Sequence, residues 1–154
     1  MAIKKTAKPK TKGVPAFNGV KRFDEPGAMS FEEGKAYLGV HFLMHLAHKG
    51  AWGRGWHHDA KGALIKHNVG QRLMLIVSEI SEAMEAHRRN AMDDKLVHRN
   101  GFEVELADAL IRIFDTAAEH KLDLAGAVIE KMRFNAIRKD HARGARSGKG
   151  GKRY

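Results

Sequence analysis

The 154-residue sequence contains no cysteine and no long run of apolar residues. Without cysteine, disulfides and thiolate metal ligands are excluded, which is typical of a reducing intracellular compartment. No segment approaches the roughly 18 apolar residues of a membrane-spanning helix. The lysine-rich start, MAIKKTAKPKTKG, has no apolar stretch behind it, as a secretory signal would have. These absences predict a soluble, cytoplasmic protein with no membrane partner.

The net charge is concentrated at the two ends of the chain. Residues 1–13 carry five lysines and no acid, and residues 138–154 carry seven Lys or Arg and one Asp. These ends therefore hold +5 and +6 of a formal +10, and the rest is at −1. Basic, glycine- and lysine-rich ends favour solvated tails, so we do not expect nucleic acid as a partner. The length predicts one domain, at 30–142, between a flexible segment at 1–29 and a tail at 143–154.

No stretch alternates apolar and polar residues with period two, so strands are not predicted. Helical spacing predicts four helices, near 31–48, 68–90, 102–120 and 123–141. Ser30 with Glu33 forms a capping box for the first, and Asn68 and Asp123 cap the second and the fourth. The glycine-rich GAWGRGWHHDAKG should be a loop packed by its tryptophans. The predicted fold class is all-α, a four-helix bundle with basic tails.

Two pairs of acidic residues interrupt the most apolar helices. Glu79 and Glu82 follow the apolar MLIV, and Glu105 and Asp108 stand within VELADALIRIF. Residues three apart share one helix face. Because an unneutralised charge in apolar surroundings costs several kcal/mol, something positive should sit between the pairs. Oxygen ligands without His or Cys favour Mg²⁺ or Mn²⁺. The alternative is that both pairs are solvated stripes of amphipathic helices.

The acid pairs and the helices that carry them resemble the MazG-like all-α NTP pyrophosphatases. That family has E-x-x-E on one helix and E-x-x-D on the next. The segments GFEVELADALIRIFDTAAEHKLDL and AVIEKMRFNAIR resemble its third and fourth helices, and HKGAW resembles the turn after its first helix. The resemblance covers about residues 35–142 and not the tails. The end, RKDHARGARSGKGGKRY, departs from it, because many relatives continue with Pro and a short HG-type segment.

The resemblance implies a MazG-like bundle that hydrolyses (d)NTP between the α- and β-phosphates, giving (d)NMP and pyrophosphate. It implies that Glu79, Glu82, Glu105 and Asp108 hold Mg²⁺, for which Mn²⁺ can substitute. One of the glutamates, Glu79 or Glu82, would also accept the proton of the attacking water, and we favour Glu82 in this catalytic role.

The substrate contacts that the resemblance implies lie mostly on the fourth helix. Lys131, Asn135 and Arg138 are spaced by four and three and would hold the phosphates. By spacing alone they fit a solvated basic stripe near a helix C-terminus equally well. Asp115 is a candidate for a further ligand, a partner of Arg112, or a contact to the sugar or base.

Aromatic and histidine residues near the first helix leave two questions open. Trp52 and Trp56 either stack on a nucleobase or pack the loop. His41, His45 and His48 share one helix face, and two histidines four residues apart can bind zinc. There is no H-E-x-x-H pattern and no obvious third ligand, so we do not expect zinc.

The partners are predicted less specifically than the reaction. The resemblance implies a nucleoside triphosphate substrate and a homodimer or homotetramer, in a bacterium or in the cytoplasm of a phage's host. Another phosphoanhydride substrate fits the same fold. The alternative function is a non-catalytic helical oligomer that binds nucleic acid through its basic tails, in which case binding should weaken steeply with salt.

Overall fold

The structure is a computed structural model that describes residues 29–138. These residues contain no β-strand and form four helices, α1 (Phe31–Gly53), α2 (Val69–Arg89), α3 (Gly101–Glu119) and α4 (Leu124–Ile137). The predicted all-α class and the four helices are confirmed for this part of the chain. None of these helices is long and apolar enough to cross a membrane. Apart from Met29, the predicted tails lie outside the described residues.

Side-chain caps define the starts of all four helices. The Ser30 hydroxyl accepts the Glu33 amide at 3.2 Å, and Glu33 Oε2 accepts the Ser30 amide at 2.7 Å, which is the predicted capping box. Asn68, Asn100 and Asp123 cap the other helices. Each such cap stabilises its helix by about 1 kcal/mol. The predicted helix starts are therefore confirmed, with α3 beginning at Gly101.

The first helix is longer than predicted. It continues past residue 48 to Gly53, so Trp52 is helical rather than part of a loop. A glycine inside a helix costs up to about 1 kcal/mol relative to alanine, which is why GAWG resembled a helix end. The tertiary structure offsets this cost, because Ala51 is buried and the Trp52 ring packs against His48.

The fourth helix is shorter than predicted. It ends at Ile137, because Arg138 has extended backbone, with φ −64° and ψ 123°. The prediction that the helix reaches His141 is therefore wrong. Arg138 follows the helix instead of lying on its face with Lys131 and Asn135.

The helices pack in the order α2, α3, α1, α4, with α2 on α3, α3 on α1, and α1 on α4. Tyr37 of α1 packs with Ala125 and Ile129 of α4 in a buried cluster. At the rim of this contact, Arg133 donates to both carboxylate oxygens of Glu33, at 2.6 and 2.7 Å. The position of α4 is therefore set by α1.

The interior between α1, α2 and α3 is unusually polar. Its buried polar side chains are His48, His57, Glu79, Asp115 and Thr116. Four large apolar side chains of α2, by contrast, are 48–67% exposed: Leu73, Val77, Ile80 and Met84. The Asp115 end of the acidic stripe of α3 therefore faces the neighbouring helices, while much of the apolar surface faces outward.

Candidate metal and substrate site

Three of the four predicted metal ligands meet between α2 and α3. One carboxylate oxygen from each of Glu79, Glu105 and Asp108 lies within 4.8 Å of the other two. Glu79 is buried, Glu105 is half-buried and Asp108 is exposed, so the cluster extends from the helix interface to the surface. Three hard oxygen donors of this kind suit Mg²⁺ or Mn²⁺ and offer nothing that favours a softer metal.

Glu82, the fourth predicted ligand, lies beside this carboxylate cluster and is not part of it. It is exposed on α2, one turn after Glu79. Its negative charge nevertheless reaches Glu105 and contributes to raising the pKa of that carboxyl group. A ligand role for Glu82 stays a prediction, whereas its place at the solvent side suits a group that exchanges protons with water.

Burial and crowding of like charges raise the pKa of two members of the cluster. Loss of solvation, together with the charges of Glu82, Glu79 and Asp108, raises the pKa of Glu105 from 4.5 to about 7. Loss of solvation and the charge of Glu79 likewise raise the pKa of Asp108. By itself the cluster therefore tends to hold a proton near neutral pH. A divalent cation neutralises such a site by displacing that proton.

Arg112 supplies positive charge to the cluster. Its Nε donates to Glu79 Oε1 at 2.6 Å, and the two side chains are 33% and 9% exposed. The sequence predicted something positive between the acid pairs, and Arg112 meets part of that need. The structure also corrects one alternative, because Arg112 is the partner of Glu79 and Asp115 pairs with Arg72.

Asp115 is the centre of a second cluster. Its Oδ1 accepts from His48 Nδ1 at 2.8 Å and from His57 Nε2 at 2.9 Å, and Arg72 donates to its Oδ2. Burial acts to raise the pKa of Asp115, but these hydrogen bonds and the Arg72 charge outweigh it and lower that pKa. Burial also lowers the pKa of His57, against the pull of Asp115. Both oxygens of Asp115 are thus engaged within the chain, which favours a positioning role.

The segment between α1 and α2 is fastened to α3 by further polar contacts. His67 Nδ1 lies 2.8 Å from Glu119 Oε1, and His67 Nε2 donates to the backbone carbonyl of Trp56 at 3.1 Å. Arg72 Nη1 lies 2.7 Å from Glu119 Oε2, an ion pair without hydrogen-bond geometry. His67 therefore ties the end of the loop to α3, and Arg72 ties the start of α2 to α3.

The second cluster also brings metal-type donors together. Two sets of three ligand atoms lie within 4.8 Å of one another, in His48–His57–Asp115 and in His57–His67–Glu119. Arg72 pairs with both of their carboxylates, so part of the negative charge that a cation would neutralise is already balanced within the chain. Hydrogen bonds within the chain therefore account for this cluster.

A cavity of about 210 Å³ lies between the two clusters. Asp108 and Arg112 line it from the carboxylate side, Asp115 from the histidine side, and Arg54 and Trp56 from the loop. A smaller cavity of about 90 Å³ shares Trp56, Arg112 and Asp115 with it. Of the residues predicted to bind substrate, Asp115 is thus at a cavity next to the carboxylate cluster.

The other predicted substrate ligands lie elsewhere. Neither of these two cavities has Lys131, Asn135 or Arg138 among its lining residues. The Lys131 ammonium and the Arg138 guanidinium lie 4.9 and 5.5 Å from the centre of the Phe134 ring. Asn135 Oδ1 is buried and has no hydrogen-bond partner among residues 29–138. Their contact with phosphates stays a prediction.

The crowded carboxylates predict a pH-dependent stability. An acid with a folded pKa of about 7 and an ordinary value of 4.5 binds more protons when folded. The contribution of Glu105 to the free energy of unfolding is therefore fully present below pH 4.5 and is lost as the pH rises through about 7. We expect Glu105→Gln to reduce the fall in unfolding free energy over this range by on the order of 1 kcal/mol. Urea denaturation of both proteins in a chelating buffer measures the difference, and identical pH profiles would contradict the crowding.

The comparisons with known proteins add no functional assignment. Neither protein-family models, nor curated protein sequences, nor solved structures gave a match to this chain.

Proposed function

We propose that this protein is a Mg²⁺-dependent nucleotide pyrophosphohydrolase that cleaves (d)NTP between the α- and β-phosphates to (d)NMP and pyrophosphate. The observation that carries the proposal is the meeting of Glu79, Glu105 and Asp108 on adjacent helices, beside a cavity. The resemblance of their spacing to the MazG-like pyrophosphatases supports the same reaction. The biological role is nucleotide-pool housekeeping, or editing of the pool by a phage.

The donor set of the cluster fits Mg²⁺. Glu79, Glu105 and Asp108 offer one hard oxygen each within 4.8 Å, and Mg²⁺ is commonly bound by a few carboxylates together with substrate phosphates and water. Burial, and after it the charges of the neighbouring acids, raise the pKa of Glu105, as expected for crowded carboxylates that a cation could neutralise. When bound, the metal lowers the pKa of a water ligand and neutralises charge on the triphosphate.

The remaining residues of the site have distinct roles in this proposal. Glu82 accepts the proton of the attacking water, because it is exposed and lies outside the three-carboxylate cluster. Glu79 is the weaker candidate, since Arg112 already donates to it. Arg112 has further N–H donors besides the one bonded to Glu79, and these suit a phosphate oxygen at the carboxylate cluster. Lys131 and Arg138 are proposed as phosphate ligands on the resemblance alone.

The exposed apolar stripe of α2 supports a homodimer or homotetramer. Leu73, Val77, Ile80 and Met84 are spaced by four, three and four, so they lie on one side of the helix. They are 48–67% exposed, and burying each such side chain fully is worth about 1.5–3 kcal/mol. A second copy of the same chain can cover this stripe with its own, which gives a closed, two-fold assembly.

A lysine in the apolar stripe should dissociate the assembly. We expect Val77→Lys to raise the dimer dissociation constant by at least about 30-fold, the cost of losing about 2 kcal/mol at an interface. Light scattering over a dilution series measures it. Val97→Lys, at a position 70% exposed in the α2–α3 loop, is the matched control and should change little. A wild-type mass of one chain at micromolar concentration would contradict the assembly.

The proposed reaction is tested with the eight common NTPs and dNTPs, with Mg²⁺ or a chelator, and with both products identified. We expect a monophosphate and pyrophosphate from at least one triphosphate, and no turnover in the chelator. Release of orthophosphate with a diphosphate left behind would reject the reaction. Salt-sensitive retention on nucleic acid without hydrolysis would favour the alternative function.

A further inference from the structure

We infer that the 210 Å³ cavity is a nucleobase subsite for guanine, in which Trp56 stacks on the base and Arg54 reads its edge. The inference rests on the proposed function, because it places the base of the same substrate beside the same carboxylates. Whole ligands of drug size occupy pockets of roughly 300–1,000 Å³. A cavity smaller than that suits one part of a nucleotide, and Asp108 in its wall joins it to the metal cluster.

Trp56 has a fixed backbone and an exposed ring. Its amide donates to the Ala51 carbonyl at 3.1 Å, and its carbonyl accepts from His67 Nε2 at 3.1 Å. The next residue, His57, is held by Asp115 at 2.9 Å. The side chain of Trp56 is nevertheless 61% exposed and lines both cavities. An indole presented in this way offers a flat face on which any base stacks, worth about 1–3 kcal/mol per base.

Trp52 is the tryptophan that packs the loop. Its ring centre lies 4.7 Å from that of His58, 5.6 Å from that of His57 and 5.8 Å from that of His48. Trp52 does not line either cavity. The two tryptophans, for which the sequence left stacking and packing equally open, therefore divide these roles between them.

Arg54 provides the polar recognition. It is the C-terminal cap of α1, with its amide bonded to the Gly50 carbonyl at 3.1 Å. Its guanidinium lies over Gly50, where a Cβ would come within 3.2 Å of Nη2. Within residues 29–138 this guanidinium has no ion pair or hydrogen bond. An unpaired guanidinium in a cavity wall has donors to spare, and in guanine O6 and N7 stand side by side as acceptors for such a fork.

The charge of the cavity wall favours a base over a phosphate. Arg54 and Arg112 are balanced there by Asp108 and Asp115. Because the wall carries no net positive charge, it gives a phosphate no net attraction, whereas a neutral base needs none. Adenine is disfavoured because its amino group, a donor, takes the place of the guanine O6 acceptor.

Binding of monophosphates tests the subsite without turnover. In a Trp52→Phe background, fluorescence of Trp56 reports titrations with dGMP, dAMP, dCMP and dTMP. We expect dGMP to bind at least about 10-fold more tightly than the others. Arg54→Ala should weaken dGMP roughly 10- to 100-fold and the others less than about threefold. Arg54→Lys, which keeps the charge and loses the planar fork, should bind dGMP more weakly than the wild type and less weakly than Arg54→Ala.

A second measurement uses the unmodified chain. Calorimetry should show that 7-deaza-dGMP, which lacks the N7 acceptor, binds about 10-fold more weakly than dGMP. Equal affinities would overturn the guanine assignment, as would tighter binding of dAMP or a pyrimidine. An equal loss for all four monophosphates in Arg54→Ala would make Arg54 a phosphate contact and also overturn it. Selective dGMP binding in a protein that hydrolyses no triphosphate would keep the subsite and reject the proposed function.

Discussion

Glu105→Gln and Asp108→Asn are each expected to lower kcat/KM for Mg²⁺-dependent triphosphate hydrolysis by about 100-fold or more. Each removes one of the three carboxylate oxygens that meet within 4.8 Å between α2 and α3, and neither changes the size of the side chain. The lost interaction acts on charge that the triphosphate brings and that develops on the leaving pyrophosphate. For this reason we expect a lower kcat as well as a higher KM.

The same substitutions should leave the helical fold intact. Replacing a carboxylate in a crowded acidic cluster removes repulsion, so the free energy of unfolding should stay constant or rise. Circular dichroism and urea denaturation check this. Glu103→Gln, on an exposed residue of the same helix, is the matched control and should keep full activity. Retention of more than a few per cent of wild-type turnover by Glu105→Gln or Asp108→Asn would refute the metal assignment.

A second large effect concerns the bond that is broken. A triphosphate with a methylene group in place of the α–β bridging oxygen should not be turned over, because no reactive anhydride remains at the proposed position of attack. The β–γ methylene analogue should still give a monophosphate. The reason is the geometry of the proposal, in which the cavity beside Asp108 holds the base and thus brings the α-phosphate nearest to the carboxylate cluster.

Product analysis by phosphorus NMR separates the possible outcomes of this experiment. Attack at the α-phosphorus in ¹⁸O-labelled water places the label in the monophosphate, whereas attack at the β-phosphorus places it in pyrophosphate. Binding of the α–β methylene analogue should remain within about threefold of that of the substrate, since its charges are kept. Turnover of that analogue would contradict cleavage between the α- and β-phosphates. Its failure to bind would contradict the expected affinity.

Much of the secondary structure could be predicted because its signals are local. The caps Ser30, Asn68 and Asp123 each bond to the amide three residues away, so a short stretch of sequence contains the whole interaction. The helix ends were less predictable. Burial of Ala51 extends α1 through glycines that would end an isolated helix, and the sequence contains no local sign of that burial.

The candidate site was predictable in part. Spacing placed Glu105 and Asp108 on one face, and the resemblance paired them with Glu79, which the structure brings to the same cluster. Glu82 is three residues from Glu79 and is nevertheless exposed. Spacing along a helix shows which residues share a face, but not whether that face is buried. Whether that face meets another helix depends on how the two helices are packed.

Sequence alone determined the number and the starts of the helices, the acid pairs and the charge distribution, since each depends on residues that are neighbours along the chain. The tertiary structure decided the ion-pair partners. Arg112 donates to Glu79 across 33 residues, and Asp115 is bound by Arg72 and His48 across 43 and 67. No spacing rule reaches such distances, because contacts of this kind exist only after the helices have packed.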